Sequence, residues 1–349
     1  MFTTKLNQRG RASIEFLAAL GGVSFPIRQQ LDQDIAAAGI NADSLPDDLD
    51  ERQAVMDEAL KDSKAFGLIK LTGDWWSRSH GHIAIDAFEE VADEIEPKLK
   101  QLDTAAGEAE ISLDPELEIP NWWSDHWIHR TTGGWDGHPY MGYVHGEIIH
   151  RKMVAVVFGD IFKQRREVMS AAPKSDYTDI LDMGCSSGHN MVALQQVFPD
   201  AQLTGVDLSA RMLEHAYRVA KLEGWSWKLF QQDCSNTQFE NESFDLVAGY
   251  IIIHEMPTEV TRASFNEAYR LLRPGGDLIM SDMRRFSEMD KMEIWHADYD
   301  ASYGGEPFAR ESQMLDFEAL ARDAGFETAQ ITSAPPRGYP HYVVATKPK

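Results

Sequence analysis

Apolar residues recur at helical spacing through the first hundred positions and as short blocks after residue 178. Ile14, Leu17, Ala18 and Leu20 form a first stripe, and Leu31, Ile35 and Ala38 form a second that Gly39 ends. Leu45-Pro46-Asp47-Asp48 reads as a helix start, with Val55, Met56, Ala59 and Leu60 on the face that follows. Phe66–Leu71 reads as a short strand. Phe88, Val91, Ile95 and Leu99 return to helical spacing, interrupted near Pro97. The acidic stretch Asp86–Glu118 is a solvated helix face and loop. From Val144 to Ser170 one long helix is predicted, with Ile148, Ile149, Val156, Val157, Ile161, Phe162 and Val168 on a broad face. Its basic last turns (Lys163, Arg165, Arg166) suit a helix C-terminus.

After Asp179 the blocks shorten to strand length. Ile180 and Leu181 lead to Asp182, then Gly184, Ser186 and Gly188, then a helical pattern near Asn190: a strand, a tight turn and a helix N-terminus. Further strands are predicted at Leu203–Leu208, Trp225–Asp233, Phe244–Tyr250 and Asp277–Met283. The chain closes with an antiparallel pair, Phe326–Ser333 and Tyr342–Thr346, after a helix Ser312–Ala324 capped by Gly325. Asp207 ends its strand about 25 residues after Asp182, where a carboxylate accepts hydrogen bonds from ribose hydroxyls.

These motifs together resemble the class I S-adenosylmethionine-dependent methyltransferases, in their small-molecule branch, from about Asp179 to Lys347. Asp182-Met-Gly184-Cys185-Ser186-Ser-Gly188 is similar to the turn under the methionine part of the cofactor. Gly205-Val-Asp207-Leu208-Ser matches the ribose-holding stretch, Gln232-Asp233-Cys234 the adenine contact, and Leu272-Arg273-Pro274-Gly275-Gly276 the turn before the fifth strand. Ser186 stands where the middle glycine is usual, which costs on the order of 1 kcal/mol if φ is positive there. The resemblance implies a seven-stranded doubly wound, Rossmann-like α/β sheet of order 3-2-1-4-5-7-6, with strand seven antiparallel. It implies S-adenosylmethionine as cofactor, held by Asp182, Gly184, Cys185, Ser186, Gly188, Asp207, Leu208, Asp233, Cys234 and Tyr250. It also implies a helical N-terminal domain, residues 1–143, that covers the acceptor and forms a homodimer, followed by the methyltransferase domain at 144–349.

Composition narrows the partners. The chain has 349 residues and a formal net charge of −23, which argues against nucleic acid as a partner. No apolar run reaches the roughly 20 residues a membrane span needs. Two cysteines, Cys185 and Cys234, make neither a disulfide framework nor a zinc quartet, and a cytoplasmic enzyme fits best.

Chemistry beyond the cofactor is less explicit. Between Leu113 and Tyr143, glycines and prolines alternate with Trp122, Trp123, Trp127, Trp135, Tyr140 and Tyr143; this segment is either a lid over the pocket or an anchored linker. His126, His129, His138, His145 and His150 suggest a metal cluster, but His145 and His150 lie about 140° apart on an α-helix and do not converge, so no metal is expected. His254, His145 and His150 are the candidate catalytic bases. His254 follows Phe244–Tyr250, where the DNA and protein-glutamine amino methyltransferases carry an Asn-Pro-Pro-Tyr-type sequence that is absent here. Residues 284–311 form an insertion expected to shape the acceptor pocket. Tyr140, Tyr143, Arg284, Trp295 and Tyr303 are the candidate acceptor contacts.

The expected reaction is methyl transfer to an O, S or N atom of a small molecule. A narrower reading is a thioether S-methyltransferase acting on 4-methylthio-2-hydroxybutyrate, as in bacterial dimethylsulfoniopropionate synthesis. A non-catalytic cofactor-binding regulator and a NAD-dependent dehydrogenase are the other readings, the last disfavoured by the terminal strand pair and Asp233-Cys234.

Overall fold

The computed structural model describes residues 2–333 and 339–349, apart from the side chains at 21–24, 157, 158, 303, 328 and 333. Its centre is an eight-stranded sheet of order β1-β4-β3-β2-β5-β6-β8-β7. The strands are β1 (Glu110–Ser112), β2 (Asp179–Met183), β3 (Gln202–Asp207), β4 (Lys228–Gln231), β5 (Phe244–Tyr250), β6 (Leu272–Asp282), β7 (Thr328–Ser333) and β8 (His341–Thr346). The last seven follow the expected order 3-2-1-4-5-7-6, and β8 is antiparallel to both β6 and β7. The expectation of seven strands is corrected by β1. This strand comes from the acidic stretch read as loop and pairs parallel with β4, Ile111 opposite Leu229. β2, β5 and the inner part of β6 are almost wholly buried, because helices cover both faces of a parallel sheet.

The N-terminal segment folds as α1 (Gln8–Ala37), α2 (Leu49–Ala59), α3 (Lys64–Glu89) and α4 (Ala92–Thr104). Both early apolar stripes belong to the single helix α1, which runs through Pro26. α2 starts as expected, with the Asp48 carboxylate capping the N–H groups of Asp50 and Glu51. Phe66–Leu71 is not a strand. Ser63 caps Phe66 N–H, and the run continues as helix α3, burying Phe66 while Leu68 and Leu71 face out. Pro97 lies inside α4; the break falls earlier, at Glu90 and Val91.

The long helix is also corrected. Val144–Val154 is a π-helix, a short α-turn Ala155–Phe158 follows, and Gly159 (φ 72, ψ −126) ends it. Asp160 then caps a new helix, Ile161–Met169. Gly142 allows this segment to lie against helix Ala210–Glu223: a Cβ there would sit 2.2 Å from the Arg211 carbonyl oxygen. The expected helix Ser312–Ala324 is likewise two helices, Ala309–Met314 and Phe317–Ala324, the second capped by Asp316. The insertion forms helix Lys291–Gly304, whose Trp295 and Tyr299 pack with Phe66, Met56 and Leu60 of the N-terminal helices. No helix among the described residues is long and apolar enough to cross a membrane.

Candidate active site

A cavity of about 840 Å³ opens at the C-terminal ends of β2, β3 and β5, where open α/β sheets bind ligands. One wall is the turn after β2. Gly184 (φ 66) has no room for a side chain, since a Cβ would fall 1.9 Å from Ile252 Cδ1. Ser186 also has positive φ, 48°, so the departure from glycine does carry the backbone strain considered above. The Asp207 carboxylate accepts N–H bonds from Ser186 (2.9 Å) and Ser209 (2.9 Å), which fixes it between the two turns. Burial holds its carboxyl up at about 6 against those two bonds. Beneath the turn, Asp182 accepts from Asn190 Nδ2 at 2.7 Å, while its second oxygen is buried with no partner. Burial raises Asp182 to about 7.

The second wall follows β5. Ile251 has φ 57, an unusual conformation for a β-branched residue, and the loop is held by Asp282 at the end of β6. Asp282 Oδ2 accepts from the N–H groups of Ile253 (2.6 Å) and His254 (3.2 Å), and Oδ1 accepts from His254 Nδ1 at 2.9 Å. His254 Nε2 faces Glu255 (3.4 Å) and Glu306 (3.8 Å). Burial opposes a charge on His254, but Asp282 and Glu255 outweigh it and hold the imidazole protonated well above its usual value.

Across from His254 stands His129, with Nδ1 2.5 Å from Glu306 and Nε2 3.5 Å from Glu255. Despite burial, the two carboxylates raise His129 to about 9. His129, Glu255 and Glu306 each bring a ligand atom within 4.8 Å of the others, a spacing that would also suit a cation. Histidine spacing did not point to this group. It joins three distant segments, and two of its members are carboxylates.

The third wall is a row of rings. Trp135 and His145 lie 4.6 Å apart, His145 and His150 4.3 Å, and His150 and His189 5.0 Å with parallel planes. The sequence argument that His145 and His150 diverge fails because i→i+5 bonding of a π-helix brings residues five apart onto one face. Burial pushes His145 down to about 3, and His150 and His189 well below their usual value. Trp122 and Trp123 close the cavity from the aromatic segment.

Residues 180–276 match the family described as methyltransferase domain. Over this stretch the chain carries a methyltransferase domain. It is 34% identical over 118 residues to a malonyl-[acyl-carrier protein] O-methyltransferase of Hahella chejuensis, covering 34% of this chain and 41% of that protein. It is 28% identical over 155 residues to an arsenite methyltransferase of Halobacterium salinarum, covering 44% and 38%. The matched stretch thus spans less than half of either relative. A solved phosphoethanolamine N-methyltransferase 2 of Haemonchus contortus aligns with 18% identity and a TM-score of 0.44, over 61% of this chain and 60% of that one.

Within the methyltransferase domain, Gly184, Cys185, Ser186, Asp207, Leu208, Cys234 and Tyr250 line the cavity, as do His145, His150 and His254. Asp182 and Gly188 lie behind the turn, Gly188 as the N-cap of helix His189–Val197. Asp233 turns to the N–H and hydroxyl of Ser235 instead of the cavity wall. The proposed acceptor contacts fare differently. Tyr143 bonds Thr4, Tyr140 bonds Glu96, Arg284 pairs with Glu293, and Trp295 donates to Gln53, all away from the lining. Tyr140, Tyr143 and Trp295 pack against the N-terminal helices instead. The Tyr303 side chain lies outside the described residues. Sequence reasoning missed Arg165, His189, Glu255, Glu306 and Tyr339, which line the cavity without belonging to any motif.

Proposed function

We propose that the chain transfers a methyl group from S-adenosylmethionine to a small-molecule acceptor bound between the strand ends and the aromatic segment. The observation carrying this reading is one continuous cavity running from Gly184 and Asp207 to His254 and Glu306. The cofactor supplies a methyl group already activated on a sulfonium. Asp207 is positioned to take the ribose hydroxyls, its carboxylate fixed by the N–H groups of Ser186 and Ser209. Asp282 fixes the loop that carries His254, while Trp122, Trp123 and Trp135 keep water away from the acceptor. The N-terminal helices and the aromatic segment act as cover, and a homodimer forms through α1 and α3.

A thioether acceptor such as 4-methylthio-2-hydroxybutyrate is the finer reading. It is favoured because every histidine on the described cavity wall is driven from its ordinary value: His145, His150 and His189 downward, His129 and His254 upward. A hydroxyl or ammonium acceptor needs a base titrating near neutrality, and the two carboxyls raised toward it, Asp207 and Asp182, are held by hydrogen bonds at the turn; a thioether needs none. The test measures S-adenosylhomocysteine release between about pH 6 and pH 9, against thioethers and against phenols, hydroxy acids and amines. Turnover on thioethers with a flat profile is expected. Turnover confined to the second pool, rising through a single pKa, would overturn the thioether reading. Cofactor binding with no turnover on either pool would favour a regulator.

A further inference from the structure

Arg165, in helix Ile161–Met169, lines the cavity without a counter-ion. Its guanidinium lies 4.6 Å above the Tyr250 ring, and Nη1 donates to the Ile161 carbonyl at 2.6 Å. Its Nε is buried with no partner. Among the described residues no carboxylate comes within salt-bridge distance of it, whereas Arg151, Arg218 and Arg310 pair with Glu147, Asp103 and Asp298. In a chain of 56 acidic and 33 basic residues, a cavity arginine left unmatched is unusual.

Its surroundings add donors and no negative charge at contact. His150 Nδ1 and His189 Nε2 are buried without hydrogen-bond partners, and both rings line the cavity. Tyr250 and Gln164 bond each other at 3.2 Å, and Gln164 donates to the Tyr339 carbonyl at 2.6 Å, completing a polar rim. Burial and the charge of Arg165 both keep His145, His150 and His189 neutral. The one carboxylate that acts on Arg165 is Asp182, which lies beyond salt-bridge distance and off the cavity wall, behind the turn. An unpaired buried cation costs several kcal/mol unless an anion satisfies it. A guanidinium fork matches a planar carboxylate, with imidazole N–H groups able to take its outer lone pairs.

We propose that Arg165, with His150 and His189, forms a carboxylate-binding subsite at this end of the cavity. The carboxylate comes from the methionine part of the cofactor or from the acceptor. This deepens the methyltransferase reading and rests on it.

The test compares two ligand pairs by calorimetry on the full chain. The first pair is S-adenosylhomocysteine and 5′-deoxy-5′-methylthioadenosine, which lacks the carboxylate. The second is 4-methylthio-2-hydroxybutyrate and its carboxamide, with the nucleoside saturating. Arg165→Gln is expected to weaken the carboxylate-bearing member of one pair about tenfold or more, leaving its carboxylate-free partner within about twofold. Loss confined to the first pair assigns the subsite to the cofactor; loss confined to the second assigns it to the acceptor. Arg165→Lys, which keeps the charge and loses the fork, should recover part of the affinity. The melting temperature of Arg165→Gln should not fall, since the variant removes an unpaired charge. Equal losses for both members of a pair, or no loss in either pair, overturns the subsite. A wild-type chain that binds neither nucleoside overturns the methyltransferase reading, and the subsite with it.

Discussion

In the proposed cofactor site Asp207 accepts the ribose hydroxyls as a carboxylate, and burial raises its carboxyl to about 6. Affinity for S-adenosylhomocysteine should therefore rise as pH passes through about 6, by up to about tenfold per unit below it. Calorimetry between about pH 5 and pH 8 checks this. Asp207→Asn should bind weakly and lose most of this dependence. The buried imidazoles set a second pH response. His145, lowered to about 3, is neutral when folded, so its contribution is present above the unfolded value near 6.5 and lost as pH falls toward 3. His129, raised to about 9, works the other way: its contribution is present below about 6.5 and lost as pH rises through 9. Denaturation across this range should place maximal stability near pH 6.5, and His129→Gln should flatten the alkaline fall. At this scale the sequence exposed motif residues and little else. Arg165 reads as an ordinary last-turn charge, and nothing in the spacing brings His129 to Glu255 and Glu306.

The loop after β5 depends on one side chain. Asp282→Ala would leave the Ile253 and His254 N–H groups without acceptors and free the imidazole. It should speed hydrogen exchange at those amides and lower turnover at least about tenfold, with nucleoside binding changed much less. Uniform loss of exchange protection across the sheet would instead mean that Asp282 supports the fold as a whole. Elements were legible where local pattern and tertiary context agree. The inner strands carry short apolar blocks because both faces are covered, Ile180 and Leu181 in β2 and Leu203 and Val206 in β3, with Asp182 next to the end of the first and Asp207 ending the second. The π-helix was not legible. Ile148, Ile149, Val156 and Val157 suit an α-helix equally well, and only Gly159 hinted at the break. Phe66–Leu71 misled because strand propensity is local, whereas a Ser63 cap and the α1 partner decide the outcome.

For the molecule as a whole, Phe16 and Phe25 on α1 and Leu68, Leu71 and Trp75 on α3 are exposed, with Phe16 and Trp75 in edge contact at 6.0 Å. Leu68, Leu71 and Trp75 share one helix face. If this patch is the homodimer contact, Leu71→Glu should halve the mass measured by light scattering; an unchanged monomeric mass in both proteins would exclude it. The sequence placed a helical segment ahead of the sheet but could not show how the two join. Trp295 and Tyr299 of the insertion pack among the N-terminal helices, and Met212 joins the core shared by α1, α3 and the π-helix. β1 ties them again at the sheet itself. Those three residues occupy the outer hydrogen-bonding groups of β4, so the segment ahead of the aromatic stretch also seals an edge. Cutting away everything before residue 113 would expose a ready template for strand addition, and the remaining sheet should self-associate into aggregates.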